Sequence, residues 1–347
     1  MIIFDNTTIA SIILHHTGNK HADEGIRFSK SELNTDKSIR DLLQTYFLSS
    51  FKSEEYYNLY HDSDLKLNEV FSFVSEIFDD PERLYDQSVN LAKHLYEQST
   101  HPKIKSGEFY VVYFRDCIVE GETVDAVGLF KSETKDTFLK VFPGGDGFLI
   151  ESEAGVNINK LDKGCLIFNT GREDGYLVAV IDKAGKGADA QYWIDDFLHV
   201  RQRNDDYFKT RNALSLCKDF VVKKLPEQFE VSKADQADLL NKSVRFFKEN
   251  DNFDLDAFAG QVLQEEEAIK SFRQHKSDYE EERDIQISDN FAISDSAVKK
   301  QSRILKSVIK LDKNFHIYIH GDQHKIVKGV DPETGLNYYQ LFFKDES

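Results

Sequence analysis

Two clusters of basic side chains are the residues of this sequence whose types and spacing suggest chemistry. The first, HVRQRNDDYFKTRNALSLCKDFVVKK (199–224), carries Arg201, Arg203, Lys209, Arg211, Lys218, Lys223 and Lys224 against Asp205, Asp206 and Asp219. The second, VKKQSRILKSVIKLDK (298–313), carries Lys299, Lys300, Arg303, Lys306, Lys310 and Lys313 against Asp312. A stripe of Lys and Arg can hold several phosphates without reading a base sequence. The alternative is that these cations only balance acidic faces nearby, as in EEEAIKSFRQHKSDYEEER. If the second tract is extended, Lys306 and Lys310 share one face and Arg303 the other. At the level of sequence both readings stay open.

Other chemistries find less support. FPGGDGF (142–148) lies between two strand-like runs with no helix after it, so it reads as a hairpin turn and not as a phosphate cradle. KAGKGADA (183–190) follows a strand but lacks the spacing of a phosphate loop, and reads as a surface loop. His316, His320 and His324 come close in sequence, yet no Cys stands beside them and no HExxH occurs, so no metal is expected. His15, His16 and His21 read the same way. Carboxylates are plentiful, among them Asp195 and Asp196, but divalent-metal phosphoryl chemistry needs acids converging from separate elements. A metal-dependent enzyme acting on nucleic acid is therefore a minor alternative, and no nucleophile motif is recognisable. Neither a catalytic residue nor a cofactor is expected.

The charge balance constrains any polyanion site. Lys and Arg number 44 against 61 Asp and Glu, a formal charge of -17, which repels DNA phosphates at long range. Screening over about 8 Å at physiological salt still permits a focal basic patch. The three cysteines, Cys117, Cys165 and Cys217, are far apart in sequence and suit a reducing cytoplasm. MIIFDNTTIASIILHH lacks a basic leader segment and is broken by Asp5 to Thr8, so it reads as a strand. No run is long and apolar enough to span a bilayer. With 27 Phe and 15 Tyr against a single Trp, the cores must be built on phenyl rings.

The elements that must position these residues follow from periodicity. TIASIILHH predicts a strand and GIRFSKSEL a second extended piece. DKSIRDLLQTYFLSSF predicts a helix with Asp36 as N-cap. Two more helices follow over LNEVFSFVSEIF and PERLYDQSVNLAKHLYEQS, Pro81 starting the latter. From residue 107 the period changes to two, and six short runs separated by glycine turns predict an antiparallel meander, its preceding helices covering one face. YWIDDFLHV reads as one further strand. A helix is expected over 207–224, ended by Pro226, then one capped by Ser232, then a long charged helix from Asp254 into SDYEEER. Antiparallel strands close the chain, with DPETG as a turn. The fold class is α+β: an N-terminal domain (1–225) of helices packed on a largely antiparallel sheet, followed by a smaller helical and antiparallel-β domain (226–347).

In this order the segments IASIILHHTG, YWIDDFLHV with its basic-then-amphipathic helix, and FHIYIHG…DPETGLNYYQL resemble the bacterial 37-kDa nucleoid-associated protein family over nearly the whole chain. The resemblance implies a non-enzymatic cytoplasmic protein at the bacterial chromosome, with DNA or DNA-handling proteins as partners. It carries over no catalytic motif. Contact with DNA is direct, through Arg201, Arg203, Lys209, Arg211, Lys218, Lys299, Lys300, Arg303 and Lys306, or runs through a DNA-handling protein whose basic face suits an acidic surface. An acidic protein-interaction adaptor without DNA contact is the second reading.

Overall fold

The computed structural model describes residues 2–183, 192–303, 305, 308–312, 314–318 and 326–345. It is an α+β protein whose contacts divide it into two compact units, Met1–Arg203 and Asn204–Ser347. The sequence places a boundary near residue 225. The unit break comes earlier because the helix after residue 205 buries Ala213, Leu216 and Cys217 in the core of the second unit.

The first unit is organised around a nine-stranded antiparallel sheet in the order β11-β4-β10-β9-β6-β5-β2-β3, with β1 (Ile2–Ile3) paired to β5. Its centre is β2 (Thr8–Thr17), β5 (Gly107–Val119), β6 (Glu122–Ser132), β9 (Lys163–Phe168) and β10 (Leu177–Asp182). The flanks are β3 (Ile26–Arg27), β4 (Tyr56–Leu59) and β11 (Val200–Gln202). The expected meander is interrupted. β6 pairs directly with β9, and the intervening β7 (Asp136–Gly144) and β8 (Gly147–Gly155) form a separate two-stranded hairpin.

Helices cover both faces of the sheet, not one. α1 (Lys37–Leu48), capped by Asp36 as expected, packs Tyr46, Phe47 and Leu48 against Tyr110, Val112, Phe114 and Phe130. On the opposite face α2 (Glu69–Asp79) and α3 (Leu84–Gln98) bury Val74, Ile77, Leu91 and Leu95 against Phe109, Val111, Val127 and Ile167. The cause is visible in β5, where FYVVYF is a continuous apolar run that buries both faces, the mark of a sheet covered on each side. Each such side chain contributes about 1.5–3 kcal/mol on burial.

YWIDDFLHV is not a strand. Tyr192–Leu198 is a π-helical turn that lays Trp193 and Phe197 on the sheet, their rings 4.9 Å apart. Beside it lie two fully buried lysines, Lys131 and Lys163, direct partners across β6 and β9. Lys131 pairs with Glu133 at 3.1 Å and Lys163 with Asp182 at 2.9 Å, and both ammonium groups lie over the Tyr192 ring.

The second unit opens with α4 (Asp206–Asp219), which runs through a π-helical turn at Phe220–Lys224 into α5 (Leu225–Gln228). Pro226 therefore sits in the first turn of α5 and does not end the helix, as its missing N–H is harmless there. α6 (Lys233–Glu249) begins at Ser232 with a full capping box. The expected long charged helix is broken into α7 (Leu255–Phe258), a π-helical turn, and α8 (Glu266–Arg283), the break falling at Gln264 with φ 65°. A short strand pair, β12 (Asn252–Asp254) with β13 (Asn290–Ala292), precedes α9 (Asp295–Gln301). Arg303 follows α9 in a turn and not in the strand expected from residue 303, and β14 spans Val308–Leu311. β14 pairs with β15 (Phe315–Tyr318), and β16 (Ile326–Val330) with β17 (Asn337–Leu341).

Candidate nucleic-acid interface

α4 forms where it does because Asp205 caps it, its carboxylate accepting the Phe208 N–H at 2.9 Å. One stripe of the helix, with Ala213, Leu216, Cys217 and Phe220 beyond it, is buried in a core of phenyl rings that includes Phe272, Phe258 and Phe253. That burial leaves Lys209, Arg211 and Lys218 on the flanks of the helix, half-buried. Arg211 lies 5.8 Å from the Phe208 ring centroid, and Lys209 stands 3.7 Å from Asp206.

α9 packs beside α4. The Ser294 N–H donates to Thr210 Oγ1 at 3.0 Å, and Ala297 and Val298 are buried, which turns Lys299 and Lys300 outward. Lys300 Nζ reaches the Tyr207 ring of α4 at 5.7 Å. Arg303 is exposed just beyond. From a third direction α8 brings Arg283, whose guanidinium stacks 4.2 Å over the buried Tyr279 ring.

These elements enclose a cleft of about 520 Å³, lined by Arg211, Lys218 and Lys223 on the α4 side, Arg283 of α8, Gln301 at the end of α9 and Leu305 beyond it. Asp219 also lines it. That carboxylate is engaged by Lys223 at 2.5 Å and lies 3.3 Å from His275 Nε2. Burial holds the His275 imidazole below its ordinary pKa, against the pull of Asp219. Four cations against one carboxylate make the cleft electropositive within a chain of formal charge -17.

Of the two basic tracts, the first places Arg211 and Lys218 in the cleft, whereas the second lines it only with the uncharged Gln301 and Leu305; Lys299, Lys300 and Arg303 are exposed outside that lining. Lys223 belongs to the first tract but was not among the expected contact residues. Arg283 was missed altogether, since nothing in the EEER run distinguishes it in sequence. Arg201 and Arg203 belong to the first unit. Arg201 sits on the edge strand β11 opposite Asn58, its guanidinium 4.1 Å over Tyr60, while Arg203 donates to Glu120 at 2.8 Å. The 199–224 tract is therefore not one helix face. Lys306 and Lys313 lie outside the described residues, as do residues 184–190 of the glycine loop.

Among the described residues, no group of three or more His, Cys, Asp and Glu side chains could hold a metal ion. His316 lies on β15, and His320 and His324 lie outside the described residues. Asp195 and Asp196 are exposed on the π-helical turn. All three cysteines are buried and free, and burial raises each thiol, Cys117 to about 11, so they are protonated at neutral pH. No helix among the described residues is long and apolar enough to cross a membrane.

No curated protein matches the chain. Residues 13–335 match the family of the nucleoid-associated protein YejK, and since that span covers nearly the whole sequence, the chain belongs to this family.

Proposed function

We propose that the protein is a non-enzymatic component of the bacterial nucleoid that contacts DNA phosphates directly through the cleft between α4, α8 and α9. Family membership supports the nucleoid-associated role. The observation that carries direct contact is the convergence of Arg211, Lys218, Lys223 and Arg283 on one cleft, with Lys299, Lys300 and Arg303 on the adjoining surface. Side chains from separate elements facing one space are what phosphate binding requires, and no base-reading element is needed for it. The acidic remainder of the chain limits binding to this focal patch and keeps it weak at long range. Lys209 extends the patch along α4. Arg201 and Arg203 form a secondary contact at most, because Arg203 is held by Glu120.

The test is binding to a short DNA duplex over a salt series, with Arg211→Glu/Arg283→Glu beside wild type and beside Arg201→Glu/Arg203→Glu. Each phosphate-contacting cation removed should lower the slope of log K against log salt by about 1. The cleft variant should lose affinity and slope while the β11 variant retains most of both. Thermal melts of each variant separate loss of binding from loss of fold. If wild type does not bind even at low salt, the nucleoid is reached through DNA-handling proteins, whose basic faces suit this acidic surface.

A further inference from the structure

The cleft between α4, α8 and α9 is deeper than contact with a duplex requires. A duplex carries its phosphates on the outside of a broad rod, so it meets side chains at the rim of a concavity. At about 520 Å³ the cleft has the size of a small-molecule site. Its lining is also of two kinds. The four cations stand beside an apolar strip of Leu214, Val222 and Leu305. Leu214 and Leu305 are buried, while Val222 is 41 % exposed. A sugar–phosphate backbone has no use for such a strip, whereas the flat face of a nucleobase does. Asn212 and Gln301 add amides, the groups that hydrogen-bond a base edge. Asn212 Nδ2 donates to the Phe208 carbonyl at 3.0 Å, which leaves Oδ1 as an acceptor.

We infer that the cleft is a binding site for a nucleoside polyphosphate, which occupies the cations offered to DNA phosphates and so displaces DNA. The inference rests on the reading of this cleft as a phosphate-binding surface. The first reason is charge density. Four cations against the Asp219 carboxylate leave the lining at +3. The cavity is roughly 8 Å across, and a DNA strand advances about 3.4 Å per phosphate, so a strand places only about two charges inside it. A terminal phosphate alone carries about -1.5 to -2 at pH 7, and its neighbour in a diphosphate adds roughly -1. A nucleoside diphosphate therefore brings nearly all the compensating charge into the same space.

The second reason is the origin of the cations. Arg211, Lys218 and Lys223 come from α4 and the π-helical turn after it, and Arg283 from α8, so a phosphate chain is held from separate elements. The Arg283 guanidinium lies 4.2 Å from the centroid of the Tyr279 ring, a stack that orders its planar fork for phosphate oxygens. Lys223 is drawn to Asp219 at 2.5 Å, which keeps its ammonium at the cleft. The third reason is that both halves of a nucleotide are provided for. The cations take the phosphates, and the strip around Val222 with the neighbouring amides takes the base.

The experiment is calorimetric titration of the full chain with ATP, ADP, AMP and inorganic triphosphate in magnesium-free buffer, without DNA. ATP and ADP should bind wild type with Kd below about 100 µM, and AMP about tenfold more weakly. Inorganic triphosphate should also bind about tenfold more weakly than ATP, since it has nothing to lay on the apolar strip. Lys218→Glu and the exposed Arg283→Glu should each weaken ATP binding about tenfold or more, with melting temperatures checking the fold. Arg201→Glu/Arg203→Glu should bind ATP as wild type does. Saturating ATP should raise the apparent Kd for a short duplex. A wild type that binds no nucleotide at about 1 mM overturns the inference. So does nucleotide binding that survives both cleft substitutions, triphosphate binding as tight as that of ATP, or duplex affinity indifferent to bound ATP. Duplex binding that persists where nucleotides fail leaves the DNA reading intact. Nucleotide binding by a chain that binds no duplex supports the nucleotide site and overturns only the DNA reading.

Discussion

His15 shows how a single side chain can be fixed in protonation state by its partners. Its Nδ1 accepts the Ser29 N–H at 3.1 Å, and its Nε2 lies 2.9 Å from Ser88 Oγ. The Ser88 hydroxyl is itself committed to donating to the Tyr85 carbonyl at 2.7 Å. The Nε2 of His15 must therefore carry the proton, and a second proton on Nδ1 would face another donor. Burial lowers its pKa from 6.5 to about 4. Folding thus favours neutral His15, and the unfolded chain binds more protons between those values. The contribution is fully present above pH 6.5 and is lost as pH falls toward about 4, amounting to about 3 kcal/mol. Urea midpoints at pH 7 and pH 5 should therefore fall less for His15→Gln than for wild type. Equal falls would show that His15 does not carry this linkage. The buried lysines make the complementary point. Lys131 is pushed below its ordinary pKa by burial yet is held by Glu133, the Lys105 carbonyl and the Tyr192 hydroxyl. Sequence reading assigns such residues to the surface; only the neighbours supplied by the fold make them tolerable inside.

At the scale of elements, α4 is the part on which the cleft depends, and Asp205 is its cap. Replacing Asp205 by Ala removes the acceptor for the Phe208 N–H and should cost about 1 kcal/mol. Because Lys209 and Arg211 lie in the first turns of the helix, the same change should weaken DNA binding modestly without altering the salt slope much. Thermal melts and the duplex titration read the two effects separately, and an unchanged melting temperature would mean the cap is dispensable. Local signals of this kind were legible: Asp36 and Ser232 were read as caps, and both accept the expected N–H groups. What escaped reading was decided by distant contacts. YWIDDFLHV has strand-forming rings, but packing of Trp193 and Phe197 on the sheet curls it into a π-helical turn. The break at Gln264 is itself neither Gly nor Pro, and Gly260 within the preceding π-helical turn is the sole breaker residue nearby. The convergence of Arg211 with Arg283 joins residues far apart in sequence, so composition marked the first tract as basic without identifying its partner across the cleft.

At the scale of the whole molecule, the charge distribution sets how the cleft responds to salt. DNA binding through a focal basic cleft releases counterions from the duplex, so it weakens steadily as salt rises. The chain as a whole, at -17, repels the same phosphates at long range. The screening length shrinks from about 30 Å at 0.01 M salt to about 8 Å at 0.15 M, so this repulsion fades as salt rises. The two terms oppose each other. The fall of affinity between those salt concentrations should therefore be shallower than the four cleft cations alone would give. Above that range only counterion release remains, and the slope should steepen. Duplex titration over both ranges checks this. A slope uniform across them would mean that the acidic remainder of the chain exerts no long-range repulsion on DNA.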